Sequence, residues 1–337
     1  MKVSSLFVLF SLLAALSCSP GQEPLESEQE EPLPIIDMHL HAFPVEDYTP
    51  LPVETCPDPT DYLPAFDLHE KTRFELTACA EPLLSATSDS ELMERTLEEL
   101  ERYNIIAAVT SGPLESVRRW KQAGQERIIP GISLTSPTQK TGLADLRELM
   151  SSGEIQVLGE VTTQYRGFKP TDPSVEEYLA LAEELDVPVG IHMGLGSPGA
   201  AYMGDPAYRA TLSNPLLLEE VLIRHPKLRL YVMHAGWPML DEMVHLLYSH
   251  PQVYVDIAVL NWHIPRNEFY SYLRRLVEAG FAKRIMFGSD QMVWPDSIAL
   301  AIETTESVPF LTEQQKRDIF YNNAARFLRL EEDTESN

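Results

Sequence analysis

Positive charge is scarce in this sequence. Its 337 residues contain 26 Lys and Arg against 51 Asp and Glu, a formal net charge of -25. A field of that sign repels nucleic acid and anionic membranes at long range, and no basic cluster offsets it, so neither is expected as the main partner. Cysteine is scarce too, with three in the chain. Cys56 and Cys79 sit in no metal-binding cysteine pattern. No glycine-rich dinucleotide fingerprint follows any apolar strand-like run, which speaks against an open, doubly wound sheet. The longest apolar run, Val3 to Leu16, is too short and too weakly flanked to span a bilayer.

That run reads instead as an export signal. Lys2 supplies the positive start and Ala15-Leu16-Ser17-Cys18 a small-residue cleavage site. Cys18 stands where a bacterial lipoprotein carries its lipid, although leucine would be more usual than Ala15. The expectation is a signal over residues 1–18, an acidic Pro/Glu-rich tether over 19–33, one domain over 34–330 and an acidic tail over 331–337. The protein would then be a periplasmic or cell-surface lipoprotein that meets the membrane only through Cys18. Export places Cys56 and Cys79 in an oxidising compartment, where a disulfide between them is allowed. Whether their backbones approach closely enough is open at this stage.

The whole chain is 44% hydrophobic and 23% charged, an ordinary globular balance that leaves ample material for a core in the expected domain. That domain opens on Pro34-Ile35-Ile36-Asp37-Met38-His39-Leu40-His41, whose alternation has the period of a strand. Simple alternation puts Asp37, His39 and His41 on one face, with Met38 and Leu40 on the other. A proline-rich stretch from Ala42 to Thr87 follows, long enough to suggest a lid. Ser88-x-x-Glu91 is a capping box that starts a helix to about Tyr103. Thereafter apolar strands alternate with amphipathic helices: strands at Ile105–Val109, Ile128–Leu134, Gln156–Thr162, Val187–Met193, Leu228–His234, Val253–Val259 and Ile285–Phe287. Helices are expected near Pro113–Ala123, Leu143–Met150, Ser174–Leu185, Pro215–Arg224, Met239–Tyr248, Asn267–Ala279 and Leu311–Leu330. Apolar strands flanked by helices argue for a parallel sheet buried on both faces, and eight such units predict a closed (β/α)8 TIM-type barrel.

In such a barrel the C-terminal strand ends form the active face. Reading the polar residue at each end gives His39 and His41, then Glu160, His192, His234 and Asp290. Each interrupts or ends an apolar run, where a lone polar side chain would be costly to bury. One divalent metal centre would give all of them a partner, since imidazole and carboxylate are zinc ligands. Asp37 would sit one layer deeper, beneath the ligands. Arg166, Asp256 and Trp294 are candidates to meet substrate, and His69, His263 and Trp262 could also reach it. His225 and His250 fit helix ends, and His245 fits a helix middle.

The Asp37-x-His39-x-His41 motif, His192, His234 and Gly288-Ser289-Asp290 occur in the order found in the amidohydrolase superfamily. The chain resembles its amidohydrolase-related branch, which includes aminocarboxymuconate-semialdehyde decarboxylase, over about Pro34 to Leu330. The resemblance implies a distorted barrel with one or two divalent metals, usually zinc with manganese possible, that activate a water. It also implies that Asp290 binds metal and shuttles the proton, with His234 either a ligand or an acid/base. Glu160 at its strand end favours two metals, with His39, His41 and Asp290 on one, His192 and His234 on the other, and Glu160 between; the competing role is a partner of a histidine ligand. The expected activity is hydrolysis of an amide, ester or lactone of a small molecule. The alternatives are a decarboxylase or hydratase on the same site, or a lipoprotein that binds without turnover. Substrate identity lies in loops such as 42–87 and 195–213.

Overall fold

The computed structural model describes residues 32–330 apart from 49, 60–68, 70–78, 135–140, 195 and 203. The expectations for Cys18, the tether and the acidic tail fall outside those residues.

Eight parallel strands follow one another around a nearly closed barrel. They are β1 (Ile35–His41), β4 (Ile105–Ser111), β5 (Ile128–Leu134), β6 (Val157–Val161), β7 (Val189–His192), β8 (Leu230–Met233), β9 (Tyr254–Asp256) and β10 (Ile285–Met286). Two two-residue strands outside the barrel, β2 (Glu54–Thr55) and β3 (Leu83–Leu84), pair antiparallel within the long first connection. Between β10 and β1 the seam is closed by individual bonds rather than a ladder: Met38 N–H donates to Phe287 O at 3.0 Å and Asp290 N–H to His39 O at 2.7 Å.

The helices cover the barrel for reasons visible in their sequences. Helix α1 (Asp89–Arg102) starts where Ser88 Oγ accepts the Glu91 N–H, and buries Leu92, Thr96 and Leu100 on one face. Helix α4 (Pro173–Glu184) begins with proline at its first position behind an Asp172 cap. His225 and His250 end helices at Arg224 and Ser249, as the sequence suggests. The helix Ser297–Glu306, which follows β10 after the segment 287–296, was not legible, its Thr304-Thr305 pair and weak amphipathicity giving little periodic signal; nor was the short helix Leu260–His263.

The barrel lumen holds its own small core. Ile36, Met38, Val157, Tyr231, Met233, Met286 and Phe327 pack there. Tyr231 crosses the lumen from β8 to donate to Met38 O at 3.0 Å. A side chain at Gly190 would meet the Tyr231 ring at 2.5 Å, so glycine is what lets that ring lie across the barrel. The simple alternation read for β1 is broken here. Its ladder slips between Asp37 and Leu40, so Met38 joins the lumen core while Leu40 packs in the outer one.

Candidate metal centre

Above that core, the strand ends named from the sequence converge. His39, His41, His192, His234 and Asp290 are all buried, and Glu160 nearly so at 8% exposure. His39 and His41 come from the last turn of β1, Glu160 from β6 and His192 from the end of β7. His234 and Asp290 sit just past β8 and β10 with left-handed φ of 56° and 51°, an unfavourable conformation for side chains that the surrounding structure holds in place. Gly288 belongs to the same turn; a Cβ there would lie 2.9 Å from that of His39, so the approach of the last strand to the first requires glycine.

The ligand atoms fall into groups. His39, His41 and Asp290 form one, and Glu160, His192 and His234 another, each with its atoms within 4.8 Å of one another; His39, His234 and Asp256 make a third such group. In the first, His39 Nε2 and His41 Nε2 are 3.1 Å apart, and Asp290 Oδ1 is 2.9 Å from His41 Nε2 and 3.8 Å from His39 Nε2. In the second, Glu160 Oε1 lies 3.6 Å from His192 Nε2 and 4.0 Å from His234 Nε2. The other oxygen of Glu160 is 3.8 Å from His41 Nε2, so this carboxylate spans both groups. Four-coordinate zinc with bonds near 2.0–2.1 Å separates neighbouring ligands by about 3.4 Å, within the range seen in the first group.

The far sides of the His39, His192 and His234 rings are tied down, whereas His41 Nδ1 is buried without a hydrogen-bond partner and that residue is held through its backbone. His39 Nδ1 meets Asp256 Oδ2 at 3.1 Å, and His234 Nδ1 meets the Ala258 carbonyl at 3.0 Å. A carbonyl only accepts, so His234 Nδ1 carries the proton and Nε2 keeps a lone pair aimed at the centre. The His192 Nδ1 contacts the Gln164 side-chain amide. Gln291 grips the backbone of His41 twice, accepting from its N–H at 2.8 Å and donating to its carbonyl at 2.6 Å. These holders fix ring orientation, the usual companion of metal-binding histidines.

Charge follows the same logic. Burial alone would lower the His39 pKa, but the Asp290 and Asp256 carboxylates outweigh it and raise it to about 10. Burial would raise Asp290, yet His39 and His41 hold it well below the usual carboxylate range. Burial, reinforced by His234, keeps His192 neutral. Asp290 Oδ1 is buried without a hydrogen-bond partner. An orphaned carboxylate oxygen beside two imidazole nitrogens is the donor set a divalent cation would satisfy, so the residues fit a zinc- or manganese-type ion.

A cavity of about 450 Å³ opens onto this centre, walled by Phe43, Tyr48, Val53, Tyr165, Met292 and Trp294. His263 also lines it, whereas Arg166 is exposed on the turn Gln164–Arg166 and does not. Asp256 lies fully buried under His39 and also accepts the His234 N–H at 2.8 Å, so it supports the ligands rather than facing the cavity. Trp262 is buried and donates to Ser289 O at 2.7 Å. Cys56 and Cys79 form a disulfide in the first connection, next to β2, which carries the cavity residues Glu54 and Thr55. The sequence reading did not single out Gln164, Gln291, Tyr48 or Tyr165. Their only sequence signal is position, just beyond the strand ends or in the first loop.

A family model described as Amidohydrolase matches residues 36–330. Among curated proteins, Protein fluG of Emericella nidulans is 23% identical over 160 residues, which is 43% of this chain; the chain spans only 18% of that relative's length. Among solved structures, a probable 2-pyrone-4,6-dicarboxylic acid hydrolase of Acinetobacter baumannii with citric acid bound is similar at a TM-score of 0.55 and 14% identity, covering 88% of this chain and 99% of that one. A 5-carboxyvanillate decarboxylase of Novosphingobium aromaticivorans with bound manganese is similar at a TM-score of 0.53 and 13% identity, covering 71% and 82%. At these identities the solved structures speak for the fold.

Proposed function

This chain belongs to the amidohydrolase family, and from that premise we propose that it is a metal-dependent hydrolase of small-molecule esters, lactones or amides. The observation that carries the reading is Asp290: a buried, ionised carboxylate whose Oδ1 has no hydrogen-bond partner, 2.9 Å from His41 and open to the cavity. A divalent ion held by His39, His41 and Asp290, and a second by His192 and His234 with Glu160 shared, would supply a water acidified towards pKa ~7 and a polarised carbonyl. Asp290 accepts the proton of the attacking water and returns it to the leaving oxygen or nitrogen as the carbonyl carbon exchanges that bond for one to the water oxygen. His39 Nδ1 is bonded to Asp256 and His234 Nδ1 to the Ala258 carbonyl, so both rings are fixed in orientation and act as holders rather than proton shuttles.

The second reading, decarboxylation on the same residues, is supported by the likeness to the manganese-containing decarboxylase. The deciding experiment is a turnover screen of zinc- and manganese-loaded protein on esters, lactones, amides and aromatic carboxylates. Cleavage of any member of the first three classes supports hydrolysis, and carbon dioxide release from the last supports the second reading. Metal uptake without turnover on any class would return the protein to a binding role. We propose further that the protein is exported, which the Cys56–Cys79 disulfide supports because such bonds persist in oxidising compartments. Detergent-phase partitioning lost on Cys18→Ser would support a lipid at that residue; partitioning that survives the change would sink it.

A further inference from the structure

The cavity wall carries two polar groups that the proposed chemistry does not use. Tyr48 and Tyr165 both line it, and no hydrogen bond reaches either hydroxyl among the described residues. Both rings are held in place: Tyr48 stands edge-on to Trp294 at 5.9 Å, and Tyr165 packs edge-on against His192 at 5.5 Å and beside Tyr208 at 5.3 Å. A phenol keeps its proton at neutral pH, so each hydroxyl can donate into the cavity that Asp290 and Glu160 also line. A half-buried phenol that faces a cavity and has no protein acceptor is free to donate to an acceptor on a bound ligand.

The rest of the cavity narrows the class of that ligand. Phe43, Val53, Met292 and Trp294 offer apolar surface. Glu54 lines the cavity from the exposed side of β2, fixed opposite Leu84 of β3 and two residues from the disulfide at Cys56. A substrate group remote from the metal therefore meets aromatic walls, two phenolic donors and a carboxylate. A second carboxylate there would face the like charge of Glu54 at the solvent-facing mouth of the cavity, a repulsion that added salt weakens.

We propose that Tyr48 and Tyr165 are substrate-positioning donors to the acyl and leaving-group oxygens, and that with Glu54 they select an uncharged aryl ester or lactone over one bearing a remote carboxylate. This rests on the hydrolase reading above and deepens it. It also separates this site from the dicarboxylate and benzoate-type compounds named for the similar structures.

The test uses zinc-loaded full-length protein and two esters of equal size, 4-methylphenyl acetate and 4-acetoxybenzoate. The neutral ester is expected to have the higher kcat/KM by about 10-fold or more, and Glu54→Gln should narrow that ratio. Tyr48→Phe and Tyr165→Phe should each lower kcat/KM on the neutral ester by about 10- to 100-fold with bound zinc and circular dichroism unchanged, since only a hydroxyl is lost. Equal or better cleavage of the carboxylated ester, or both phenylalanine variants within about twofold of wild type, would overturn the proposal. If wild type cleaves neither ester, the hydrolase reading is judged by the wider screen of esters, lactones and amides, and this one by binding of the uncleavable ketone 4-methylacetophenone. Binding that weakens in both phenylalanine variants supports it; no binding, or binding indifferent to them, defeats it.

Discussion

The carboxylate of Asp37 accepts the backbone N–H of Ser289 at 3.0 Å and that of His39 at 2.9 Å through one oxygen, while its other oxygen is buried without a partner. One side chain thus holds the first strand to the turn that presents Asp290. Burial raises its pKa to about 6 against the pull of the hydrogen bonds from Ser289 and His39.

A pKa raised on folding means that the folded state keeps this proton longer than the unfolded chain. Its contribution to stability therefore falls as pH rises from about 3.8 to about 6 and is constant above, a change of at most about 3 kcal/mol. Asp37→Asn keeps an oxygen for both N–H groups and removes the titration. In chelator-treated protein, the stability of the variant relative to wild type should rise over that window and then level. Denaturant midpoints measured from pH 4 to 8 check this, and a flat difference would contradict it.

His39 retains a proton at neutral pH in the metal-free protein because Asp290 and Asp256 favour its charged form. A metal ligand must give that proton up. Zinc binding at pH 7.5 should release about one proton from this residue. Titration calorimetry in buffers of different ionisation enthalpy measures the number, and heats independent of buffer would rule the release out.

Asp290→Asn preserves volume but removes the proton acceptor. We expect turnover to fall at least about 100-fold in a folded protein with unchanged circular dichroism. Near-wild-type rates would defeat the mechanism proposed for this residue.

Glu160 reaches His41 with one oxygen and His192 with the other, at 3.8 and 3.6 Å. If it is shared between two ions, elemental analysis after zinc loading should give close to two per chain for wild type and close to one for Glu160→Gln. A value near one in both would leave Glu160 as a partner of the histidines.

Removing the disulfide by Cys56→Ser with Cys79→Ser should lower stability by about 3 kcal/mol, from the loop entropy of a crosslink 23 residues apart. It should also raise KM more than it lowers kcat, because the neighbouring Glu54 and Thr55 line the cavity while the ligand cluster lies on the barrel.

The side chains that converge were readable because each one breaks or ends an apolar run, and burying a polar side chain needs a reason that sequence alone can register. His192 and His234 stand at the ends of Gly190-Ile191 and Val232-Met233 for that reason. Their holders were not readable. Gln164 and Gln291 look like loop residues until the fold brings them to His192 and His41. Asp256 was visible as an inward polar residue, but only the barrel shows that it sits beneath His39. The period-two reading of β1 failed at Met38 because a slipped ladder changes faces without changing composition. Arg166 was placed by distance along the chain, and the turn after β6 carries it to solvent.

The seam between β10 and β1 also makes half of the centre depend on closure of the barrel. Gln291 clasps His41 across 250 residues, and Asp290 N–H bonds to His39 in the same place. Glu160, His192 and His234 come from neighbouring strands β6, β7 and β8, whereas His39 and His41 meet Asp290 and Gln291 only where β10 comes round to β1. One group of side chains therefore belongs to consecutive units of the barrel, and the other exists only where the barrel closes. The cluster at Asp290 is thus complete only when the last strand has docked, which ties the geometry of the centre to closure of the whole barrel.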